Sequence, residues 1–450
     1  MTTLMWFRRD LRTRDHPALS AAATAAVLPC FVLDPKLITD VGPVRLGWLA
    51  ANLHALNADL GGRLCLRLGD AAEVLPRLAS EYAVTAVHVS GETEPEGARR
   101  DALVREALRG QGVDWVATGS PYAVSPGRLR TQHGAGYRVF GAYRQAWLHH
   151  GWPHPAPAAA GLRLVSSAAE SSAWDWLVAA AAQCPISLPP AGQDAAEAQW
   201  LEFLRDRRAD YSVDRDRVDR DGTSLLSPYL ALGVLHPRSL LAAIGELGDA
   251  DSDRFRTELA WREFYADVTW HRPDSLRADL NPLPLTYDPP GDPFAAWQRG
   301  RTGYPIVDAG QRQLAQTGRM PNRVRMISAS FLTKDLHIWW RYGADHFARQ
   351  LLDFDEASNV QNWQWVAGTG TDAAPYFRIF NPTAQGERFD PEGAYVRRWV
   401  PELSHLTGIR VHQPWADAAG YSQGYPQPIV DHAVERAEAL ARYQQARGRG

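Results

Sequence analysis

The sequence predicts an α/β N-terminal domain, built on a doubly wound parallel sheet, followed by an all-α C-terminal domain. Short apolar runs such as Leu4–Phe7 and Val27–Leu33 alternate with alanine- and leucine-rich stretches such as Gly47–Leu60. Strand, helix and strand at this spacing are typical of a parallel sheet covered by helices on both faces. After Ala195 the apolar pattern becomes helical and remains so, which predicts the second domain.

The segment between these regions is predicted to be a connector. From Pro121 to Pro190 the composition shifts to Pro, Gly, Ala and Ser, with one helix-like patch around Tyr143–His149. We therefore predict an α/β domain at 1–125, a connector at 126–195 and a helical domain at 196–450.

Bulk composition describes an ordinary globular protein of 450 residues, with 45% hydrophobic and 22% charged residues. The sequence contains no apolar run of about 18 residues and no signal-peptide core, so we expect no membrane contact and a cytoplasmic location. The three cysteines, Cys30, Cys65 and Cys184, lack metal-site spacing, and no metal site is predicted. The net charge of −3 does not by itself indicate a nucleic-acid binder.

The stretch Gly222–Leu235 offers hydroxyls at what is predicted to be a helix start. Thr223, Ser224 and Ser227 suit a bound phosphate, because a helix N-terminus presents free backbone N–H groups. The same residues are also typical of an ordinary helix cap.

A second candidate is the predicted helix Glu258–Trp270. Glu258, Trp261, Arg262 and Tyr265 follow helical spacing and share one face. An aromatic shelf framed by a carboxylate and a guanidinium suits a flat polar ligand such as a base. The alternative is a half-buried helix with a core tryptophan and a surface ion pair.

The residues 322–342 are predicted to form one amphipathic helix that Gly343 ends. Near its start, Arg323 and Arg325 stand between Asn322 and Met326. This cluster suits contact with phosphate and a base edge, although a solvated basic helix start is the usual meaning of such a pattern.

The most informative stretch runs from Asp353 to Arg388. Asp353, Asp355 and Asn359 supply hydrogen-bonding groups, and Trp363 and Trp365 supply aromatic surface. The combination predicts a site for a flat, redox-active ring. The alternative for each tryptophan is that it fills the core.

Taken together, these segments resemble the photolyase/cryptochrome family over nearly the whole chain. The resemblance is strongest in the strings Thr302–Gly318 and Trp363–Gly393. Within the family the chain looks like a class I cyclobutane pyrimidine dimer photolyase. The resemblance implies a lyase that binds FAD and uses blue light to split dimers in UV-damaged DNA by electron transfer from reduced flavin. The alternative that it leaves is a blue-light receptor that signals to a protein partner, although the chain lacks a long tail after the helical region.

The resemblance also implies which residues contact FAD. Asn359 is expected to face the flavin N5 and to favour the reduced flavin of repair enzymes. The expected FAD contacts are Tyr211, Thr223, Ser224, Leu226, Ser227, Phe255, Arg262, Arg325, Asp353, Asp355 and Asn359.

For the DNA lesion, the resemblance implies a pocket with Glu258, Asn359, Trp261 and Trp365 as catalytic groups. The other implied DNA contacts are Arg215, Tyr265, Asn322, Arg323, Met326 and Gln385. Enzymes that repair (6-4) photoproducts place His at the positions of Asn322 and Met326, so its absence here favours cyclobutane dimers.

The family's internal electron relay carries over as Trp363 and Trp340, and its outer position falls on Tyr287 instead of a third tryptophan. Because a tyrosine passes on a hole only when it sheds its proton, Trp339 is an alternative exit. Further departures are Leu225, where an Arg is common, and Arg319 and Pro321, where an aromatic residue and a His are common.

An antenna pigment is also implied, and a folate, a deazaflavin, a second flavin or none at all stay open. Asp10, Arg45 and Glu96 are candidates for its pocket, or are simply surface charges. We expect a monomer with no obligate protein partner.

Overall fold

The computed structural model describes residues 1–39, 41–167, 171–245, 247–372 and 378–448. Within these ranges, every helix is too short or too polar to pass through a bilayer.

The sheet contains strands that are all parallel to their neighbours, in the order β3-β2-β1-β4-β5, with β6 also pairing with β2. The strands are β1 Thr2–Phe7, β2 Ala26–Leu33, β3 Cys65–Leu68, β4 Val84–Val89, β5 Asp114–Ala117 and β6 Arg163–Leu164. Strand order reverses between β1 and β4, so the predicted doubly wound sheet is confirmed.

The helices follow in chain order. Up to residue 206 they are α1 Pro17–Ala22, α2 Pro35–Ile38, α3 Pro43–Asp59, α4 Ala71–Glu81, α5 Pro95–Arg109, α6 Phe140–His150, α7 Ser171–Ala182 and α8 Gln193–Glu202. From there to residue 320 they are α9 Tyr211–Asp214, α10 Ser227–Ala231, α11 Pro237–Gly245, α12 Ala250–His271, α13 Asp292–Gln298 and α14 Pro305–Thr317. The last are α15 Asn322–Ser330, α16 Trp340–Gln350, α17 Glu356–Ala367, α18 Pro382–Phe389, α19 Ala394–Trp399 and α20 His432–Gly448.

The chain forms two compact units, and neither is a continuous stretch of sequence. Unit one comprises Met1–Asp206 and Ser224–Pro273, and unit two comprises Arg207–Thr223 and Asp274–Gly450. The sheet and α12 therefore lie in unit one, although α12 follows the predicted connector. The predicted domain limits at 125 and 195 do not coincide with this division and stay a prediction about family domains.

In unit one the segment 121–150, which leads into the predicted connector and includes its start, is fixed to α12 by buried carboxylates. The Glu263 carboxylate accepts hydrogen bonds from the backbone N–H groups of Ala123 and Val124 and from the Trp147 indole. Asp267 accepts one from the Gly127 N–H, at 2.7 Å. Burial raises the pKa of Glu263 above its usual value, and these donors act in the opposite direction. This segment therefore packs specifically on α12, although its composition is typical of a linker.

In unit two the predicted single helix over 322–342 is wrong. Helix α15 ends at Ser330, a π-helical turn spans Phe331–Asp335, and α16 begins only at Trp340. The buried Lys334 side chain donates to the carbonyl of Ala367 at the end of α17, at 2.6 Å. The π-helical turn and residues 336–339 thus separate two helices that the apolar spacing alone had joined.

Two further helix ends differ from their predictions. Gly343 does not end a helix; it lies buried inside α16. Helix α10 begins at Ser227 after Leu226, which makes no side-chain capping bond, so Thr223 and Ser224 precede the helix instead of capping it.

Candidate functional site

A cavity in unit two, with about 500 Å³ of space including the part open to solvent, brings together many of the predicted site residues. It lies among α15, α16, α17 and the segment that connects the last two. The predicted residues that line it are Asn322, Arg325, Met326, Asp353, Asp355, Asn359 and Trp363. Ala329, Phe347, Leu351 and Val366 add an apolar wall. The cavity therefore combines hydrogen-bonding groups with aromatic and aliphatic surface, as sites for cofactors commonly do.

An ion pair holds one side of this cavity. One guanidinium nitrogen of Arg325 lies 2.8 and 3.0 Å from the two oxygens of Asp353, and Arg325 Nε donates to the carbonyl of Met320 at 2.8 Å. The Asp353 side chain is 9% exposed. The pair is held in one geometry because both partners are bonded on more than one atom.

Asp355 and Asn359 are positioned by α17. Asp355 is its N-cap and accepts a hydrogen bond from the Ser358 N–H, at 2.9 Å. One turn later, Asn359 Nδ2 donates to the carbonyl of Ala344 in α16, at 3.0 Å. The amide of Asn359 is thus fixed between two helices at the cavity wall.

Trp363 reaches the cavity because α16 presents a glycine to it. A Cβ on Gly343 would lie 2.2 Å from Trp363 Cη2 and 2.6 Å from Leu332 Cδ2. Gly343 stands one helical turn after Trp340 in α16. Trp363, which packs on Gly343, and Trp340 are the two predicted inner members of the relay, and both therefore lie where α16 packs against α17.

This packing makes Gly343→Ala a direct test of the cavity wall. Overpacking a core costs about 1–3 kcal/mol, so we expect a lower free energy of unfolding and a displaced Trp363. Thermal unfolding and tryptophan fluorescence measure both. Gly141→Ala is the matched control, since a Cβ there meets no atom within 4 Å. Equal stability of the Gly343 variant and the parent would contradict the described packing.

The outer members of the predicted relay have different surroundings. The Trp339 ring centroid lies 5.8 Å from that of Trp340, which is fully buried. Tyr287 lines a separate cavity of about 330 Å³, together with Lys334 and His337. Burial, and secondly the charge of Asp279, raises the pKa of the Tyr287 phenol above its usual value.

The predicted face of α12 is formed only in part. The Trp261 ring stacks on Phe140 with centroids 3.5 Å apart and contacts Tyr265 at 5.4 Å, while Glu258 pairs with Arg254 at 3.3 Å. Arg262 donates to the backbone carbonyls of Pro121 and Leu230. Each interpretation of the helix therefore applies to some of these residues. Trp261 and Glu258 are partly exposed and could contact a ligand, whereas Arg262 is bonded to the backbone of unit one.

The remaining predicted FAD residues lie in both units. Phe255 packs in an aromatic cluster with Trp200 and Phe203 in unit one. Ser224, Leu226 and Ser227 also lie in unit one, and the Ser224 hydroxyl accepts from the Leu226 N–H at 3.4 Å. Tyr211 and Thr223 belong to unit two, where Tyr211 is buried at the start of α9.

The predicted DNA-backbone residues of unit two are anchored near the surface. Arg323 pairs with Asp216 at 2.8 Å and lies over the Phe389 ring. The Arg215 guanidinium lies 6.0 Å from the Tyr211 ring centroid, and Gln385 is half-buried on α18. Trp365 does not line the cavity. Its indole N–H donates to the carbonyl of Asp372. The residues that follow, 373–377, lie outside the described part of the chain.

Of the antenna candidates, Asp10 is a buried residue of unit one. It accepts hydrogen bonds from the Arg8 N–H and the Ser90 hydroxyl, at 2.7 and 2.6 Å, and lies 3.2 Å from His16. Glu96 pairs with Arg99 on the exposed side of α5. Asp10 therefore joins the loops that follow β1 and β4, and the surface interpretation of this residue is wrong.

Several cavity residues were missed by the sequence reasoning. Phe347, Leu351, Ser358 and Asn362 line the cavity without having been predicted. Ser358 and Asn362 stand three and seven residues after Asp355, so the helical spacing that relates Asp355 to Asn359 would have found them.

Comparisons with known proteins agree with this site. Residues 3–160 match the family described as DNA photolyase, and residues 255–445 match the family described as FAD binding domain of DNA photolyase. A deoxyribodipyrimidine photo-lyase of Vibrio cholerae is 39% identical, over 99% of this chain and 100% of the relative. A deoxyribodipyrimidine photo-lyase of Streptomyces griseus is 40% identical, over 98% of each chain.

The chain belongs to the DNA photolyase family.

Solved photolyase structures share its fold. A class III photolyase from Agrobacterium tumefaciens is 36% identical and superposes with a TM-score of 0.90, over 99% of this chain and 98% of that one. A photolyase from Sulfolobus tokodaii with two FAD molecules is 28% identical, with a TM-score of 0.87, over 99% of this chain and all of the other. The predictions of the family, the fold class, the FAD cofactor and photolyase activity are therefore confirmed, while class I membership stays a prediction.

The residues of the unit-two cavity fit FAD. Phe347, Leu351 and Trp363 give apolar and aromatic surface that suits a flat ring system. Asn359, whose amide is fixed by Ala344, and the carboxylates of Asp353 and Asp355 supply hydrogen-bonding groups at the same wall. Such a donor and acceptor set suits the polar edge of an isoalloxazine and the hydroxyls of its side chain.

Proposed function

We propose that this photolyase splits cyclobutane pyrimidine dimers in UV-damaged DNA, with the flavin ring of FAD in the unit-two cavity. The observation that carries the proposal is the convergence of Arg325, Asp353, Asp355, Asn359 and Trp363 on this one cavity. When bound, reduced FAD supplies, on absorbing light, the single electron that opens the dimer and then takes it back. The protein contributes position and electrostatics, because the cofactor carries the chemistry.

In this proposal the cavity residues bind and orient the flavin. The Arg325–Asp353 pair holds fixed charges beside the ring system and its sugar chain, and Asp355 adds a second acceptor. Asn359, whose amide donates to the Ala344 carbonyl at 3.0 Å, would be the residue that faces the flavin N5. Phe347 and Leu351 help to keep water away from the ring.

The resemblance supports lesion contacts in each unit by itself: Glu258 and Trp261 in unit one, and Asn322, Met326 and Trp365 in unit two. Trp261 is suited to stacking on a base because Phe140 holds its indole in one orientation at a centroid distance of 3.5 Å. Glu258 is proposed to hydrogen-bond the dimer and to hold it in position. To reach these groups the dimer leaves the duplex; photolyases are a known example of enzymes that flip bases.

Glu258 provides the experiment that tests the lesion site. A hydrogen bond to a charged group contributes roughly 1.5–3 kcal/mol, so Glu258→Ala should lower the yield of repair per absorbed photon by at least about tenfold. The measurement is loss of dimers from a synthetic oligonucleotide in light of known intensity.

Glu258→Gln is the control for this test, because it keeps the size and a polar end while removing the charge. We expect it to have an intermediate yield, and both variants to hold as much FAD as the parent. A yield equal to that of the parent in Glu258→Ala would remove Glu258 from the mechanism.

The proposed DNA contacts are Arg215, Tyr265, Arg323 and Gln385. Arg323 is suited to a phosphate because its guanidinium is already oriented by Asp216 at 2.8 Å. A local basic rim is sufficient despite the net charge of −3, and binding through phosphate contacts weakens as salt rises. We further propose that the chain acts as a monomer, in the cytoplasm, without an obligate protein partner.

Repair is preferred to blue-light signalling. A cryptochrome from Synechocystis is 27% identical with a TM-score of 0.87, so the shared architecture does not separate the two functions. What supports repair is the residue at the flavin site: an asparagine, Asn359, lines the cavity where plant-type light sensors of the family carry an aspartate.

A further inference from the structure

Trp340 is hydrogen-bonded to a carboxylate that the predicted relay does not include. Its Nε1–H donates to Asp279 Oδ1 at 2.6 Å, and the indole is fully buried at the start of α16. The same carboxylate oxygen accepts from the Thr369 hydroxyl, at 3.0 Å. Asp279 and Thr369 therefore form a small polar cluster around the nitrogen of a buried tryptophan.

The segment that carries Asp279 is fixed to the C-terminal end of α17. The Leu280 N–H donates to Gln364 Oε1 at 2.7 Å, and the Asn281 N–H donates to the carbonyl of Thr369 at 2.8 Å. The side chain of Asn281 donates to the carbonyl of Gly370, at 2.7 Å. The distance between Asp279 and the indole is thus set by the backbone on both sides of the carboxylate, and a proton acceptor held in this way is already within transfer distance.

Tyr287 lacks a comparable arrangement. Among the residues that the structure describes, its buried hydroxyl has no hydrogen-bond partner. Its pKa is raised, first by burial and then by the charge of Asp279. A phenol gives up an electron readily only when its proton leaves as well, so the outer position of the relay is poorly suited to receive a hole.

An indole behaves differently once it has lost an electron. Neutral indole N–H is a hydrogen-bond donor and a very weak acid, whereas the indole radical cation is strongly acidic. A carboxylate at 2.6 Å is a suitable base for that cation and a simple acceptor for the neutral ring. Asp279 can therefore take the Nε1 proton only after Trp340 has lost an electron.

We propose that Asp279 is the proton acceptor of the relay and that the hole stops on Trp340. Trp340 gives one electron to oxidised Trp363, which is thereby restored, and the Nε1 proton of Trp340 moves to Asp279 Oδ1. The products are a neutral Trp340 radical and an uncharged Asp279 carboxyl group. Return of the electron is slow because the proton must return with it. This inference rests on the relay that the resemblance implies and on the proposed function, which places FAD, the oxidant of Trp363 in light, in the unit-two cavity.

The test uses FAD-loaded, oxidised protein, a short blue flash, transient absorption and electron paramagnetic resonance. In the parent we expect a tryptophan radical cation to become a neutral radical on Trp340, with a slower step in heavy water. In Asp279→Asn the amide still accepts the N–H bond but is not a base. The neutral radical should form about 100-fold more slowly, and the cation should be lost by charge return.

Two further variants make the test independent of any damage caused by Asp279→Asn. Thr369→Val removes a donor from the carboxylate and makes it a stronger base, so the neutral radical should form faster. Tyr287→Phe should leave the yield and lifetime of the radical unchanged. Parent-like formation of the neutral radical in both Asp279→Asn and Thr369→Val would overturn the proposal, as would loss of the long-lived radical in Tyr287→Phe.

Failure of the relay and failure of the proposed function are distinguishable. If the parent forms no tryptophan radical, the roles of Trp363, Trp340 and Asp279 all fall. Repair of dimers by protein whose flavin was reduced chemically would still stand, because that reaction does not use the relay.

Discussion

Replacing Trp363 by phenylalanine should abolish photoreduction of the oxidised flavin. Trp363 lines the cavity and packs on Gly343, and phenylalanine fills much of its space without being as readily oxidised. We expect the rate of flavin bleaching under blue light, with a soluble thiol as electron donor, to fall to near zero. Protein reduced chemically beforehand should still repair dimers in light.

Trp399→Phe is the matched control, because Trp399 is a buried tryptophan of the same core cluster that does not line the cavity. It should bleach at the rate of the parent. Normal photoreduction in Trp363→Phe would contradict the relay, and loss of repair by the pre-reduced variant would show that Trp363 has a different role.

Removing the carboxylate of Asp353 should have the largest effect on cofactor binding. The change leaves the Arg325 guanidinium without the two oxygens that lie 2.8 and 3.0 Å from it at the cavity wall. Breaking a partly buried, hydrogen-bonded ion pair costs about 3 kcal/mol, so FAD affinity should fall roughly 100-fold in Asp353→Ala. Titration of apoprotein with FAD, followed by flavin fluorescence, measures this.

The control is Asp288→Ala, which removes the carboxylate of another ion pair in unit two. Asp288 is 47% exposed and pairs with Arg442 at 3.0 Å, and exposed pairs contribute at most about 1 kcal/mol. FAD affinity should be unchanged. Tight FAD binding by Asp353→Ala, in a protein that still unfolds cooperatively, would remove the ion pair from the cofactor site.

Much of this architecture follows from local patterns in the sequence. Alternation of apolar runs with helix-like stretches specifies the strands and the parallel sheet, because each element must bury one face. The spacing of Asp355, Asn359 and Trp363 places all three on one side of α17. Both properties involve residues close together in the chain, so they can be predicted from the sequence alone.

The errors share a cause, which is contact between residues distant in the chain. At the break between α15 and α16, Lys334 bonds to the distant Ala367, and the role of Gly343 depends on Trp363. The docking of the predicted connector involves Glu263, which binds Trp147, and Asp267, which binds Gly127. Helical periodicity carries no information about such partners, so it predicted a continuous helix and a loose linker.

The pairing of Asp279 with Trp340 is another contact between residues distant in the chain. Sixty-one positions separate the two residues, and nothing in the local sequence of Asp279 indicates a proton acceptor. The resemblance identified Trp340 and the substitution at Tyr287. Only the folded structure shows that the Asp279 carboxylate bonds to Trp340 and also raises the pKa of Tyr287.

Reduced FAD, held by this chain, is expected to split cyclobutane dimers in light. The most direct measurement is the dimer content of a defined oligonucleotide incubated with FAD-loaded, chemically reduced protein, illuminated or kept dark. We predict conversion of dimers to intact pyrimidines in blue light and none in the dark. Dimers that persist under illumination, with FAD bound and reduced, would contradict the account.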